Sequence, residues 1–317
     1  MTDMFDKAHA QAIFDAHTGR FGRFGRRHET SAETHADQLP DEVAFTRPEP
    51  VYRAGKVACM ALGFIESDAE CLAHAFQARS DRLGFDAAAW PDAPADFGLH
   101  PRPRTDAFAA CPHALGLYAV LPDATWIGRM ARAGVPTLQL RFKSDDGAAV
   151  EREVRAAIAA VAGTPARLFI NDHWQAAIDG GAYGVHLGQD DIDAADFGAI
   201  QRAGLRLGLS THGYAEMVRA DALDPSYIAL GAVFPTTLKR MATAPQGTAR
   251  LAAYAALLRE VPLVAIGGID FASLPEVLQS GVGSVAVVRA LVAAADPEAE
   301  AARFNAMLGR HGSAEKA

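Results

Sequence analysis

Cysteine is scarce in this chain. Only Cys59, Cys71 and Cys111 occur among 317 residues, an odd number without CxxC spacing. That does not suggest a disulfide framework and fits reduced thiols in a cytoplasmic protein. Long apolar runs are missing too, and none approaches the roughly 18 residues that a membrane span requires. The first residues, Met1 to Arg27, are rich in charge and histidine and lack the apolar core of a signal peptide. The expectation is a cytoplasmic protein with no membrane insertion. Basic runs are also absent: the formal net charge is −8 and no positive stripe stands out. Nucleic acid is therefore not an expected partner. Basic residues that matter must act locally, in a pocket.

What is present is ordinary globular material, with 50% hydrophobic and 21% charged residues. The chain changes character along its length. Residues 1–50 are polar, with Gly-Arg-Phe-Gly-Arg-Phe-Gly-Arg-Arg at 19–27, and are expected to be partly helical or poorly ordered. Residues 51–83 read as helical, because Val57, Met60, Ala61 and Phe64 recur at helical spacing. The irregular, proline-bearing stretch 84–112 reads as a linker, so 51–114 is taken as a helical segment plus linker.

From Gly116 onward the pattern turns regular. Apolar runs at Gly116–Leu121, Thr137–Phe142, Arg167–Asn171, Gly184–Leu187, Leu205–Ser210, Tyr227–Gly231, Leu263–Gly267 and Ser284–Val288 read as strands. Helical stretches such as Ala148–Ala162, Ala249–Glu260 and Phe271–Ser280 separate them. Buried strands alternating with helices mean a parallel sheet covered on both faces. We expect an α/β fold, a (β/α)₈ TIM barrel over 115–310, with a mostly helical or irregular N-terminal extension and a tail at 311–317. A doubly wound sheet is the alternative.

A barrel presents its chemistry at the C-terminal ends of the strands. Polar residues gather there: Gln139, Arg141 and Lys143 after strand two, Asn171 and Asp172 after strand three, and His186, Gln189 and Asp191 around strand four. Ser210 and His212 follow strand five, Thr236, Lys239 and Arg240 strand six, Gly267-Gly268 strand seven, and Arg289 strand eight. Each alone carries little weight. A carboxylate at a strand end more often caps a helix, His186 has a structural role as readily as a catalytic one, and a glycine pair is more often a tight turn. Together they describe a pocket. Arg141, Lys143 and Lys239 suit a polyanion. Asp172 and Asp191 suit Mg²⁺, which takes one or two carboxylates and otherwise phosphate oxygens and water. The Gly267-Gly268 junction suggests a second anion site, and so an enzyme joining two phosphorylated molecules.

Gln139-Leu-Arg-Phe-Lys143, Asn171-Asp172, Gly184-Val-His-Leu-Gly-Gln-Asp-Asp191, Ser210-Thr-His212, Phe234-Pro-Thr-Thr-Leu-Lys239, Ala265-Ile-Gly-Gly-Ile269 and Val285-Ala-Val-Val288 resemble the thiamine-phosphate synthase family over about residues 115–308. The resemblance implies coupling of hydroxymethylpyrimidine diphosphate to thiazole phosphate, giving thiamine phosphate and pyrophosphate by diphosphate departure and capture of a pyrimidine cation. It implies catalytic Arg141, Lys143 and Lys239, substrate contacts from Gln139, Asn171, Ser210, Thr236, Gly268, Val288 and Arg289, and Mg²⁺ held by Asp172 and Asp191. Three features depart from the family pattern: Leu238 at a usual threonine, Arg289 at a usual serine, and the first 114 residues. Residues 46–83 resemble the C-terminal helices of a pyrimidine kinase and read as a fusion remnant without its nucleotide site. Two other readings stand beside the synthase, a thiazole tautomerase on the same barrel and a non-catalytic thiazole-phosphate-binding barrel. The loop from Ala232 to Gly247 reads as a mobile lid. The sequence leaves open whether copies assemble into a homo-oligomer.

Overall fold

Each apolar run is four to six residues long, too short for a buried helix, and each pairs in parallel with its neighbours in chain order. In the computed structural model these strands are β1 (Gly116–Leu121), β2 (Thr137–Leu140), β3 (Arg167–Asn171), β4 (Gly184–Leu187), β5 (Arg206–Thr211), β6 (Tyr227–Leu230), β7 (Leu263–Ile266) and β8 (Ser284–Val287). Gly116 of β1 pairs with Ser284 of β8, which closes the sheet into an eight-stranded barrel. The structure describes residues 2–21, 39–40, 43–236 and 243–314.

The expected strands fall where periodicity put them, with ends shifted by one or two residues. β2 ends at Leu140 rather than Phe142, although the Arg141 N–H still donates to Leu121 O at 2.8 Å. β5 starts one residue late, at Arg206.

Among the described residues, helices α1 (Thr2–Phe21), α2 (Pro50–Ala61) and α3 (Glu66–Leu83) precede the barrel. Helices α4 (Ala124–Arg132), α5 (Gly147–Val161), α6 (Trp174–Gly180), α7 (Phe197–Arg202), α8 (Tyr214–Asp221), α9 (Gly247–Leu257), α10 (Leu274–Leu278), α11 (Arg289–Val292) and α12 (Pro297–Ala314) belong to it. None of the described helices is long and apolar enough to cross a membrane.

The barrel interior is a packed core of its own. Tyr118, Val120, Phe169, Tyr227, Ala229, Val264 and Ala286 all point inward and are buried. Aromatic rings this large fit because their neighbours are glycines. A Cβ on Gly208 would run into the Tyr227 ring, and one on Gly184 would lie 2.5 Å from the Phe169 ring. With its lower layers filled, the barrel interior opens to a ligand at the C-terminal mouth.

The N-terminal segment lies against the outer face of the barrel at α8 and α9. The Trp90 indole N–H donates to the Tyr214 hydroxyl at 2.9 Å, and Trp90 also packs on Phe21 and Phe64. Phe97 stacks on Tyr214 with centroids 5.3 Å apart. Arg250 of α9 sits 4.0 Å above the Phe64 ring and donates to the carbonyls of Leu62 and Gly63. Residues 84–112, read from the sequence as a linker, are fastened along their length. Arg102 and Arg104 pair with Asp221 and Asp224, and Trp90, Phe97 and Phe108 are buried. Aromatic content outweighed the prolines here, because Trp90 packs among the rings of the extension, Phe97 on Tyr214 and Phe108 on Phe197.

This packing buries the aromatic face of the extension against α8 and α9. Replacing Trp90 by alanine is expected to cost about 3–5 kcal/mol, the usual range for a buried aromatic. Urea denaturation of the whole chain checks this, and an unchanged midpoint would show that the extension is not anchored through Trp90.

Candidate active site

The residues at the mouth follow from strand parity, since alternate residues of a strand face the same way. Above the inward Phe169 comes Asn171, above Gly184 comes His186, and above Gly208 comes Ser210. Gln139, inward on β2, donates from Nε2 to Asn171 Oδ1 at 2.6 Å, and both side chains are nearly fully buried. This pins two amides face to face on the floor of the pocket, each with polar atoms left to present to a ligand.

Beside them runs a buried hydrogen-bonded chain. The Tyr118 and Tyr227 hydroxyls are 2.7 Å apart, Tyr227 Oη is 2.7 Å from His186 Nδ1, and His186 Nε2 is 2.8 Å from Ser210 Oγ. Burial holds both tyrosines well above the usual phenol range, so they act as neutral hydroxyls. His186, left undecided from the sequence, is thus a link between the barrel core and Ser210. Tyr118 and Tyr227 escaped the sequence reading. Their signal was a phenol at an inward position of an otherwise apolar strand, where a buried hydroxyl must find a partner.

Asp172 and Asp191 come together from two loops. Asp172 follows β3 with φ of 63°, a left-handed conformation that aspartate tolerates better than most residues. Its N–H donates to His186 O at 3.0 Å, while the His173 and Trp174 N–H groups close the turn onto Asn171 and Asp172 carbonyls. Asp191 is held by the Gly188 N–H, which donates to its Oδ2 at 3.1 Å. The Asp172 carboxyl is pushed up from its ordinary value, first by burial and then by the Asp191 charge and a hydrogen bond between the two carboxyls. Arg141 and His173 pull it back down, which puts Arg141 on the same side of the mouth. Two carboxyls forced into contact at a partly wet site suit a hard divalent cation. Among the described residues no group of three or more His, Cys, Asp and Glu side chains is gathered at one point.

On the opposite rim, Gly267 and Gly268 have φ of 103° and 67°. A Cβ on Gly268 would lie 2.6 Å from Pro235 O and 2.8 Å from Phe234 Cβ. The loop after β6 therefore lies directly on the β7 junction, with the Phe234 N–H donating to Gly267 O at 2.9 Å. Val288 is half-buried against the interior cluster, and Thr236 is half-buried where the described part of the β6 loop ends.

Lys143 and Arg289 are exposed, Lys143 in the loop before α5 and Arg289 at the start of α11. Gln139, Asn171, Asp172, Asp191, Ser210 and Arg141 thus converge on one side of the mouth. Gly268, Val288 and Thr236 lie at the strands opposite. Leu238 and Lys239 lie outside the described residues, as does the middle of the expected lid. His212 turns away from the mouth chain and is tied to Glu216 of α8, with Nδ1 to Oε2 at 2.7 Å.

With this geometry in hand, the relatives decide the family. The family model described as thiamine monophosphate synthase matches residues 117–291. The chain belongs to that family. It is 54% identical over 193 residues to the thiamine-phosphate synthase of Neisseria meningitidis serogroup B, covering 61% of this chain and 94% of that one. The thiamine-phosphate synthase of Serratia proteamaculans is 54% identical over 200 residues, with 63% and 94% covered. That of Cronobacter sakazakii is 55% identical over 192 residues, with 61% and 91% covered. Among solved structures, a thiamine phosphate pyrophosphorylase from Pyrococcus furiosus superposes with a TM-score of 0.56 at 24% identity, over 62% of this chain and 96% of that one. That likeness speaks to the barrel fold. The family match begins at residue 117, so α1–α3 lie outside it.

The buried chain gives a test of the floor. Tyr227→Phe leaves the Tyr118 hydroxyl and His186 Nδ1 short of a partner, at an expected cost of about 1–3 kcal/mol. Denaturation midpoints check this, and a variant as stable as the parent would show that the hydroxyl chain carries no weight.

Proposed function

We infer that the barrel is a thiamine-phosphate synthase, a transferase that moves a pyrimidinylmethyl group from hydroxymethylpyrimidine diphosphate to thiazole phosphate. The observation that carries this reading is the Asp172–Asp191 pair, pressed together beside Arg141 and above the Gln139–Asn171 floor in a chain whose relatives bear that name. The bond between the pyrimidine methylene carbon and its diphosphate oxygen breaks, with both electrons leaving on pyrophosphate. The thiazole nitrogen then donates its lone pair to the carbocation, giving thiamine phosphate.

The barrel's part in this is electrostatic positioning. Arg141 and Lys143 stabilise the departing diphosphate, the arginine with two parallel hydrogen bonds and the lysine as a compact charge. The family resemblance gives Lys239, which lies outside the described residues, the same role. Gln139 and Asn171 hold the pyrimidine's polar edge, and Ser210 adds a hydroxyl contact. Gly268 and Val288 line the thiazole-phosphate side, where bare backbone admits an anion closely, while Thr236 borders the two halves and Arg289 adds a cation near the thiazole phosphate. Mg²⁺ fits Asp172 and Asp191, because two carboxylates that repel one another are relieved by a divalent cation. When bound, it supplies charge neutralisation for the diphosphate. Burial of the floor matters as well, since electrostatic contacts strengthen where water is excluded.

A tautomerase has no physical need for a paired-carboxylate site beside an arginine, and the relatives offer no support for that reading or for a non-catalytic barrel. A cytoplasmic setting agrees with three free thiols. The test is pyrophosphate release by the full chain given both substrates. Release is expected to require both substrates and Mg²⁺. Asp172→Asn and Asp191→Asn are each expected to lower kcat on the order of 10²–10³-fold, the scale of one lost transition-state contact. Wild-type turnover in either variant, or release indifferent to Mg²⁺, would remove the carboxylates from the site.

A further inference from the structure

Barrel helices need their first N–H groups satisfied, and several here do so with their own residues. Asp123 caps α4, accepting from Trp126 N at 2.8 Å. Asp146 caps α5 at 2.9 Å, and Asp196 caps α7 at 2.8 Å. Helix α8 differs. Its N-cap position is Gly213, which has no side chain to offer. The carboxylate comes from outside the barrel: Asp68, on α3 of the extension, accepts from Ala215 N at 2.9 Å and is also hydrogen-bonded by Tyr214 N. Asp68 is 3% exposed. A Cβ built on Gly213 would overlap its carboxylate, so Asp68 occupies the space that a capping side chain at 213 would fill.

This cap sits three residues from the active-site floor. β5 carries Ser210, and Thr211, His212 and Gly213 lead directly into α8. Glu216, in the first turn of α8, reaches back to accept from His212 N at 2.8 Å and to pair with the His212 ring. From the β4 side, Gln189 Nε2 donates to Ser210 O at 2.7 Å. The turn that presents Ser210 is thus braced from one side by Gln189 and from the other by the first turn of α8. That turn of helix ends on Asp68. The charges facing Asp68 are Arg250, which favours its ionised form, and Glu216, which opposes it. Burial is the dominant influence on the group and pushes its carboxyl up to about 6, so a carboxylate is an expensive choice here unless the α8 N–H groups use it.

We propose that Asp68 is a positioning residue for the barrel's active site: the extension's carboxylate serves as the N-cap of α8 and thereby holds the β5–α8 turn that presents Ser210. The extension is then a working part of the enzyme, with its cap residue transferred from position 213 to α3. The proposal rests on the synthase reading for Ser210's role and is independent of it for the cap.

Reciprocal rescue in the full-length chain tests it. Asp68→Ala is expected to slow kcat about fivefold or more, the factor matching a typical N-cap contribution, and to leave KM for thiazole phosphate unchanged. Gly213→Asp alone is expected to be impaired as well, because two carboxylates then compete for one space. The double variant, Asp68→Ala with Gly213→Asp, is expected to recover to within about twofold of the parent by restoring a local cap. Amide hydrogen exchange over residues 211–216 should follow the same pattern, protected in the parent and the double variant and faster in Asp68→Ala. Parent-like kinetics and exchange in Asp68→Ala would overturn the proposal, as would a double variant no better than the singles. If the parent releases no pyrophosphate, the synthase reading fails, while the exchange pattern in the same proteins still decides the cap.

Discussion

Closure of the sheet dictates where the chemistry lies. Once Tyr118, Phe169 and Tyr227 fill the lower layers, with Gly184 and Gly208 yielding room for their rings, the next inward positions must face the mouth. Those positions are Gln139, Asn171, His186 and Ser210. Strand parity thus converts a packing requirement into a polar floor, and the phenol–imidazole chain joins the two layers by hydrogen bonds. A one-residue register slip in β3 or β4 would turn Asn171 or His186 outward and break both arrangements at once.

Around that floor the loops supply charge. The Asp172–Asp191 pair and Arg141 depend on tight loop geometry more than on strand position, including the left-handed backbone at Asp172. Such a cluster of like charges costs stability unless a cation shares it, which is the mark of a site shaped by function. The synthase reading accounts for that cost. A departing diphosphate calls for positive charge at one place, and the mouth sets Arg141 beside the paired carboxylates that would hold a divalent cation.

Much of this was legible in the sequence, for a physical reason. Apolar runs separated by helices mark the parallel strands to within one or two residues, and polar residues at the C-terminal ends of those runs mark the mouth. Closure into a barrel rather than a doubly wound sheet is settled by the Gly116–Ser284 pairing. What was not legible depended on long-range contact. Residues 84–112 look like a linker until Trp90 finds Tyr214 and Arg102 finds Asp221. Nothing local to Asp68 announces that it caps α8, because its partner lies 147 residues away. The one hint is Gly213, a helix start with no capping side chain. Tyr118 and Tyr227 escaped notice in the same way, because their hydroxyls meet only when the barrel closes.

The central claim is that the mouth forms a single site for a metal-bound diphosphate, and product binding tests it without turnover. Pyrophosphate titrated calorimetrically into the full chain should bind with Mg²⁺ present, bind far more weakly without it, and lose the metal's effect in the Asp172→Asn, Asp191→Asn double variant. Binding of equal strength with and without Mg²⁺, or unaltered metal dependence in the double variant, would contradict the account.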